Sequence, residues 1–221
     1  MLAPALKLMR PADVAYNHVK RRIMLNELEP ETVLTELGLA REIGASQGTV
    51  REALLRLQEE GLVSRSGRRG TVVTRLTADE AQEMLVLRRT IETRGARRAA
   101  AAATPALIET LLPIRAAMDD AAAQQDEYGL IEADKDFHLA IFRASGLDAL
   151  EQILVRCMLH SHRFKLWAPG HRRPLVDTVT RHDVLMDCLR ARDGEGLAQA
   201  LGQHIDTIVL LGDAAPTETT A

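Results

Sequence analysis

From Thr77 almost to the end, apolar residues recur at three- and four-residue spacing. That periodicity commits about two-thirds of the chain to amphipathic helices. Residues 77–103 open with a Thr77 cap and a capping-box Glu80. Thr104-Pro105 restarts the chain, and Pro113 is expected to kink the helix that follows. Further helices are expected over 126–146, 147–167, 175–194 and 195–212, with 168–174 as a loop and 213–221 as a frayed tail. Short connections imply antiparallel neighbours, hence a helical bundle. With aromatics at only 3% of residues, its core must be built from Leu, Ile, Val, Met and Ala.

Several inner stripes carry a polar residue where leucine would be ordinary. They run Ile131, Asp134, His138, Ile141; then Val179, His182, Leu185, Leu189; then Leu197, Leu201, His204, Ile208. Asp134 and His138 are i and i+4, so they share one face. A carboxylate is rarely buried without a partner. One Asp and three His converging from three helices would make a site for a divalent metal, Zn²⁺, Ni²⁺ or Mn²⁺. The same pattern also fits satisfied core histidines, and periodicity does not separate the two. His160 follows the stripe Ile153, Cys157, His160, Phe164 and reads as a pocket-lining residue; His18, His162 and His171 read as surface or loop.

The first 75 residues differ. They carry 12 Lys/Arg against 9 Asp/Glu, whereas the remainder carries 16 against 22, so a basic front precedes an acidic back. After residues 12–25 and the break at Pro30, a short helix over 34–44 is expected to turn Leu37, Ala40 and Ile43 inward. Ser46 is a natural N-cap for the next helix, where Val50, Ala53, Leu54 and Leu57 form an i, i+3, i+4, i+7 stripe that Gly61 stops. "LVSR" (62–65) and "TVVTR" (71–75) are β-prone and read as a hairpin with Arg68 and Arg69 at its tip. Three helices and a basic hairpin make a winged helix-turn-helix over residues 8–75, its third helix suited to the major groove. A helical hairpin with a solvated arginine loop fits the same spacing.

"TELGLAREIGASQGTVREALLRLQEEGLVSRSGRRGTVV" resembles the N-terminal domain of the GntR family of bacterial transcription regulators. The resemblance implies DNA contacts from Ser46, Gln47, Gly48, Thr49 and Arg51, and wing contacts from Arg68 and Arg69. Leu37 stands where the family can have a contacting arginine, with Arg41 one turn on. Gln47 replaces an arginine the family usually has, exchanging a guanine reader for one suited to adenine, so a shifted operator preference is expected. "EADKDFHLAIFRASG" is similar to the FCD effector-binding domain of the FadR-type branch. By that match Asp134, His138, His182 and His204 hold a divalent metal that helps bind a small organic acid. "LVLRRTIETRGARRAA" looks like the same domain's opening and makes Arg88 the candidate for the effector carboxylate. Arg181 stands where a Glu often precedes the histidine.

The expected architecture is therefore mainly α: a winged helix-turn-helix, then an FCD-type antiparallel bundle over 77–212. The resemblance implies a homodimer on a near-palindromic DNA operator, controlled by a small carboxylate, and acting as a repressor. A metal-dependent hydrolase or isomerase is the rival class, but no further Glu or His stands in an evident general-base relation to the four ligands. A DNA-binding dimer with core histidines is the other. Cys157 and Cys188 form no spacing motif, which suits a reducing cytoplasm, and no apolar run nears the roughly 20 residues that cross a bilayer.

Overall fold

The computed structural model describes residues 9–65, 70–167 and 174–207, and the chain divides into two compact units between Thr77 and Ala78. In the first unit, α1 (Pro11–Met24) starts on a proline at N1 and buries Ala12, Ala15, Tyr16, Val19, Ile23 and Met24 along one face. Thr35 caps α2 (Glu36–Ile43) by accepting from Gly38 N, and Gly44 closes it at φ +71°, a left-handed conformation that a side chain would strain. Ser46 caps α3 (Gln47–Glu59) through Thr49 N, and Val50, Ala53, Leu54 and Leu57 are all buried as their stripe requires. Each such leucine contributes about 1.5–3 kcal/mol over its exposed state.

Two expectations for this unit are corrected. Leu37 is exposed, and Leu39 takes the inner position beside Ala40. Starting α2 at Glu36 sets a phase in which 36, 39, 40 and 43 share a face, leaving Leu37 off it. The expected hairpin is a three-stranded antiparallel sheet, because β1 (Val33–Leu34) pairs with β3 (Thr71–Val73), which also pairs with β2 (Val63–Arg65). The register aligns Leu34 and Arg65 with Thr71 on its two sides. Arg68 and Arg69 lie outside the described residues, as do His171, Ile208 and the tail.

The second unit consists of α4 (Ala78–Ala101), α5 (Pro105–Ala123), α6 (Glu127–Arg143), a 3-10 turn (Asp148–Leu150), α7 (Glu151–Trp167), α8 (Leu175–Thr180), α9 (Asp183–Ala191) and α10 (Gly194–Asp206). Thr104, Asp126 and Asp193 cap α5, α6 and α10 by accepting from the N–H three residues on. α5 continues as one helix through Pro113. α4 is the central element, packed against α10, α7 and α6. Its contact with α6 needs Gly95, where a Cβ would come within 2.8 Å of the Phe142 ring.

The helix expected over 175–194 is broken between α8 and α9. His182 Nδ1 lies 3.1 Å from Thr178 O and 3.2 Å from Val179 O. Those carbonyls would otherwise accept from the backbone N–H groups of residues 182 and 183, so the ring competes with the helix ladder. The break places His182 at a junction rather than mid-helix.

Candidate metal centre and nucleic-acid interface

Asp134 and His138 stand one turn apart on α6, His182 stands at the α8–α9 junction, and His204 lies on α10. All four are buried, and one ligand atom from each lies within 4.8 Å of the others. Asp134 Oδ1 is the hub: His182 Nε2 is 3.0 Å away, His204 Nε2 3.5 Å and His138 Nε2 3.9 Å. The rings of His182 and His204 meet at 4.6 Å between centroids, and those of His138 and His204 at 4.8 Å. The structure thus brings together the four residues that the inner stripes single out.

Behind this group stands a second set. On α4, Arg88 Nε donates to Glu92 Oε1 at 2.5 Å, and Glu92 Oε2 accepts from His138 Nδ1. Arg88 Nη1 donates to His162 Nε2 at 3.1 Å and to Ser161 Oγ at 3.4 Å. Asp134 Oδ2 faces His162 Nε2 at 3.1 Å and Arg88 Nη2 at 3.7 Å. The carboxylate is divided, one oxygen toward three imidazoles and the other toward Arg88 and His162.

Burial pushes the Asp134 carboxyl up, but His138, His162, His182 and His204 together outweigh it and hold the group well below the usual carboxylate range. Glu92 is brought down to about 2: burial opposes ionisation, and Arg88 and His138 overcome it. Burial lowers His162 to about 4, only partly offset by Asp134, and drives His204 well below its ordinary value. Neutral imidazoles and ionised carboxylates are the forms that ligate a metal.

The donor set fits such an ion. His138 Nε2, the atom that faces Asp134 Oδ1, is buried with no hydrogen-bond partner. Leaving a polar group in that state costs about 1–3 kcal/mol. Three imidazoles and one carboxylate are the chemistry of Zn²⁺, Ni²⁺ or Mn²⁺ sites, without thiolate. With neutral imidazoles, Arg88, Glu92 and Asp134 leave one net negative charge buried, which a divalent cation would reverse.

A narrow cavity, with room for little more than a water molecule, opens beside Asp134 and His204, walled by Leu130, Ile131 and Thr178, with His162, Lys165 and Arg181 also lining it. Arg88 is fully buried and does not line it; neither does His160, although it is buried too. His162, expected at the surface, is 2% exposed and sits against Asp134. The stripe through Ile153 misled here, because Ile153 is half exposed while Leu154, Met158, Ser161 and His162 are buried, shifting the inner face by about one residue. Glu92 was also missed. Its available signal was an Arg88/Glu92 pair at i, i+4 on a helix that otherwise turns alanine and glycine inward.

In the first unit, Gln47, Gly48 and Arg51 are exposed at the start of α3, as is Arg41 on α2. Thr49 is half-buried, and Ser46 Oγ lies 2.9 Å from Thr49 Oγ1, so both hydroxyls are engaged in the cap. A Cβ at Gly48 would meet nothing closer than Ser46 Oγ at 3.8 Å. Arg51 does not project alone: Nε and Nη2 donate to Glu36 Oε1 and Oε2 at 2.8 and 2.6 Å.

Residues 11–73 match the family profile of bacterial regulatory proteins, gntR family, and residues 83–207 match that of the FCD domain. The chain belongs to the GntR family. It is a GntR-type transcriptional regulator with an FCD domain, and its relatives are regulators rather than enzymes. It is 25% identical over 197 residues to the HTH-type transcriptional repressor RspR of Escherichia coli K12, covering 87% of this chain and 85% of RspR. It is 26% identical over 197 residues to the HTH-type transcriptional regulator McbR of the same organism, covering 86% and 88%. The solved E. coli McbR/YncC structure has the same fold, with a TM-score of 0.71 at 23% identity over 90% of this chain and 95% of that one. A putative GntR regulator from Rhodococcus sp. RHA1 gives 0.68 at 24% identity, covering 89% and 94%. Among the described residues, no helix of this GntR protein is long and apolar enough to cross a membrane.

Proposed function

We propose that this GntR regulator is a metal-dependent, effector-controlled repressor acting as a homodimer on a near-palindromic operator. The observation that carries the reading is the buried Asp134–His138–His182–His204 group, with a narrow polar cavity opening beside it. A bound Zn²⁺, Ni²⁺ or Mn²⁺ would supply a Lewis-acidic point for a carboxylate oxygen. Lys165 and Arg181 line the same cavity and suit an anionic ligand. Arg88 supports the site from behind, through Glu92 and Asp134, rather than from the cavity wall. The repressor assignment draws on RspR, which is named as one.

On the DNA side, Arg41, Ser46, Gln47, Gly48, Thr49 and Arg51 are the proposed reading surface, with Arg68 and Arg69 in the wing. The N-terminus of α3 adds backbone N–H groups and a favourable dipole for phosphate. Two-fold symmetry of the dimer would impose two half-sites. Effector binding would favour one of two protein states and so change operator affinity. Arg51→Ala should weaken operator binding by about 1–3 kcal/mol, the worth of a bidentate base contact. An unchanged Kd in gel-shift titration would move the reading surface elsewhere.

The deciding experiment selects bound sites from random DNA and then titrates a panel of carboxylic and hydroxycarboxylic acids against the selected duplex. Wild type should release DNA for a subset of the acids, whereas His182→Ala should bind DNA equally well and ignore them. Loss of folding in that variant, with no metal in wild type, would instead mark the histidines as core.

A further inference from the structure

We infer that Glu92 is a positioning residue of the metal centre, selecting the tautomer of His138 and fixing the ring that ligates. The inference rests on the metal reading above. Glu92 and Arg88 are one turn apart on α4 and both buried, so their contacts are made without competition from water. The Glu92 carboxylate is shared between two donors: Oε1 takes Arg88 Nε, and Oε2 takes His138 Nδ1. An ionised carboxylate only accepts, so the proton of a neutral His138 must sit on Nδ1. The lone pair is then on Nε2, the atom that faces Asp134 Oδ1 and has no hydrogen-bond partner.

The three imidazoles differ in this respect. His138 donates to a carboxylate, His182 Nδ1 faces the carbonyls of Thr178 and Val179, and His204 Nδ1 has no partner. A carboxylate is the strongest of these acceptors and holds the ring opposite it most firmly in orientation and tautomer. Arg88 has a definite part in this. By occupying Oε1 it leaves one oxygen of Glu92 for His138 and holds the carboxylate back from the four-residue group. The plainer role for Glu92 is that of counter-ion to Arg88 alone. It leaves the short contact to His138 Nδ1 without purpose and predicts no effect on metal affinity.

The test uses the full-length protein stripped with chelator and titrated with Zn²⁺ against a chelating dye. Wild type is compared with Glu92→Gln and Glu92→Ala, and long-range ¹H–¹⁵N spectra report the histidine tautomers. Glu92→Gln keeps an acceptor for His138 but loses the charge, so Zn²⁺ affinity should fall about tenfold. Glu92→Ala should approach the 100-fold end of the range for loss of a ligand's supporting partner. His138 should be Nδ1-protonated in wild type and mixed in Glu92→Ala. Should Glu92→Ala fail to fold, the isosteric Gln variant still decides. Wild-type Zn²⁺ affinity in the Gln variant, with an unchanged His138 tautomer, would overturn the role of Glu92 while leaving the metal centre intact. A wild-type protein that takes up no Zn²⁺, Ni²⁺ or Mn²⁺ would overturn both.

Discussion

Purified without a tag, the wild-type protein should carry about one divalent ion per protomer, and an Asp134→Ala, His182→Ala double variant should carry none. The expectation follows from where the ligand atoms stand. Asp134 Oδ1 stands among three Nε2 atoms, and His182 Nε2 is the nearest of them at 3.0 Å. Removing both takes away the hub and its closest partner together. Because an ion that binds only the folded state stabilises it by mass action, free metal at about a thousand times Kd adds about 4 kcal/mol. In a domain of this size that raises Tm by roughly 10 °C. The double variant should show no such rise on adding Zn²⁺, Ni²⁺ or Mn²⁺. Elemental analysis and thermal melts with and without chelator check both statements. A wild type with no metal and no metal-dependent melt would remove the ion from the site, leaving the histidines to bind the effector directly or to serve as core.

How much of this was readable beforehand depended on the range of the interaction. Ser46, Thr104 and Asp193 act within one turn, so their caps are encoded locally and the elements they start are legible. The four-residue group was legible because each member interrupts an apolar stripe in its own helix, and the stripe fixes the direction in which it points. What failed depended on pairing across the chain. β1 is two residues long and exists because β3 lies beside it, a partner almost forty residues away in sequence that gives no local signal. The α8–α9 break arises because the His182 ring claims backbone carbonyls, although no proline or glycine marks the point. α7 is buried around much of its circumference, so a single stripe could be drawn in more than one phase. The stripe through Ile153 takes in His160 and leaves out His162, although both are buried. Glu92 was hidden for a related reason: a charged i, i+4 pair is ordinarily a solvated one, and its meaning depends on His138, 46 residues on.

Arg88→Ala should destabilise the metal-free, effector-free protein by about 3–5 kcal/mol, the cost of breaking a buried ion pair by removing one partner. Arg88 is fully enclosed, and its guanidinium faces two buried carboxylates, Glu92 at 2.5 Å and Asp134 at 3.7 Å. Its removal also leaves His162 Nε2 without the Arg88 donor. If Arg88 served only to receive the effector carboxylate, the empty protein would hardly notice its loss, and urea unfolding would show a midpoint near wild type. Partial repair separates the two further. Replacing Arg88 by Met and Glu92 by Leu together removes both charges, and apolar replacement of a whole buried pair is often near neutral. The double variant should therefore be much more stable than Arg88→Met alone, a coupling that a double-mutant cycle with the Arg88→Met and Glu92→Leu single variants measures directly. Recovery should be incomplete, because Asp134 and His138 have still lost the groups that held them. Stability would then return without a matching return of Zn²⁺ affinity, which ties Arg88 to the centre through Glu92. Full additivity of the two substitutions would mean that the pair does not act as a unit.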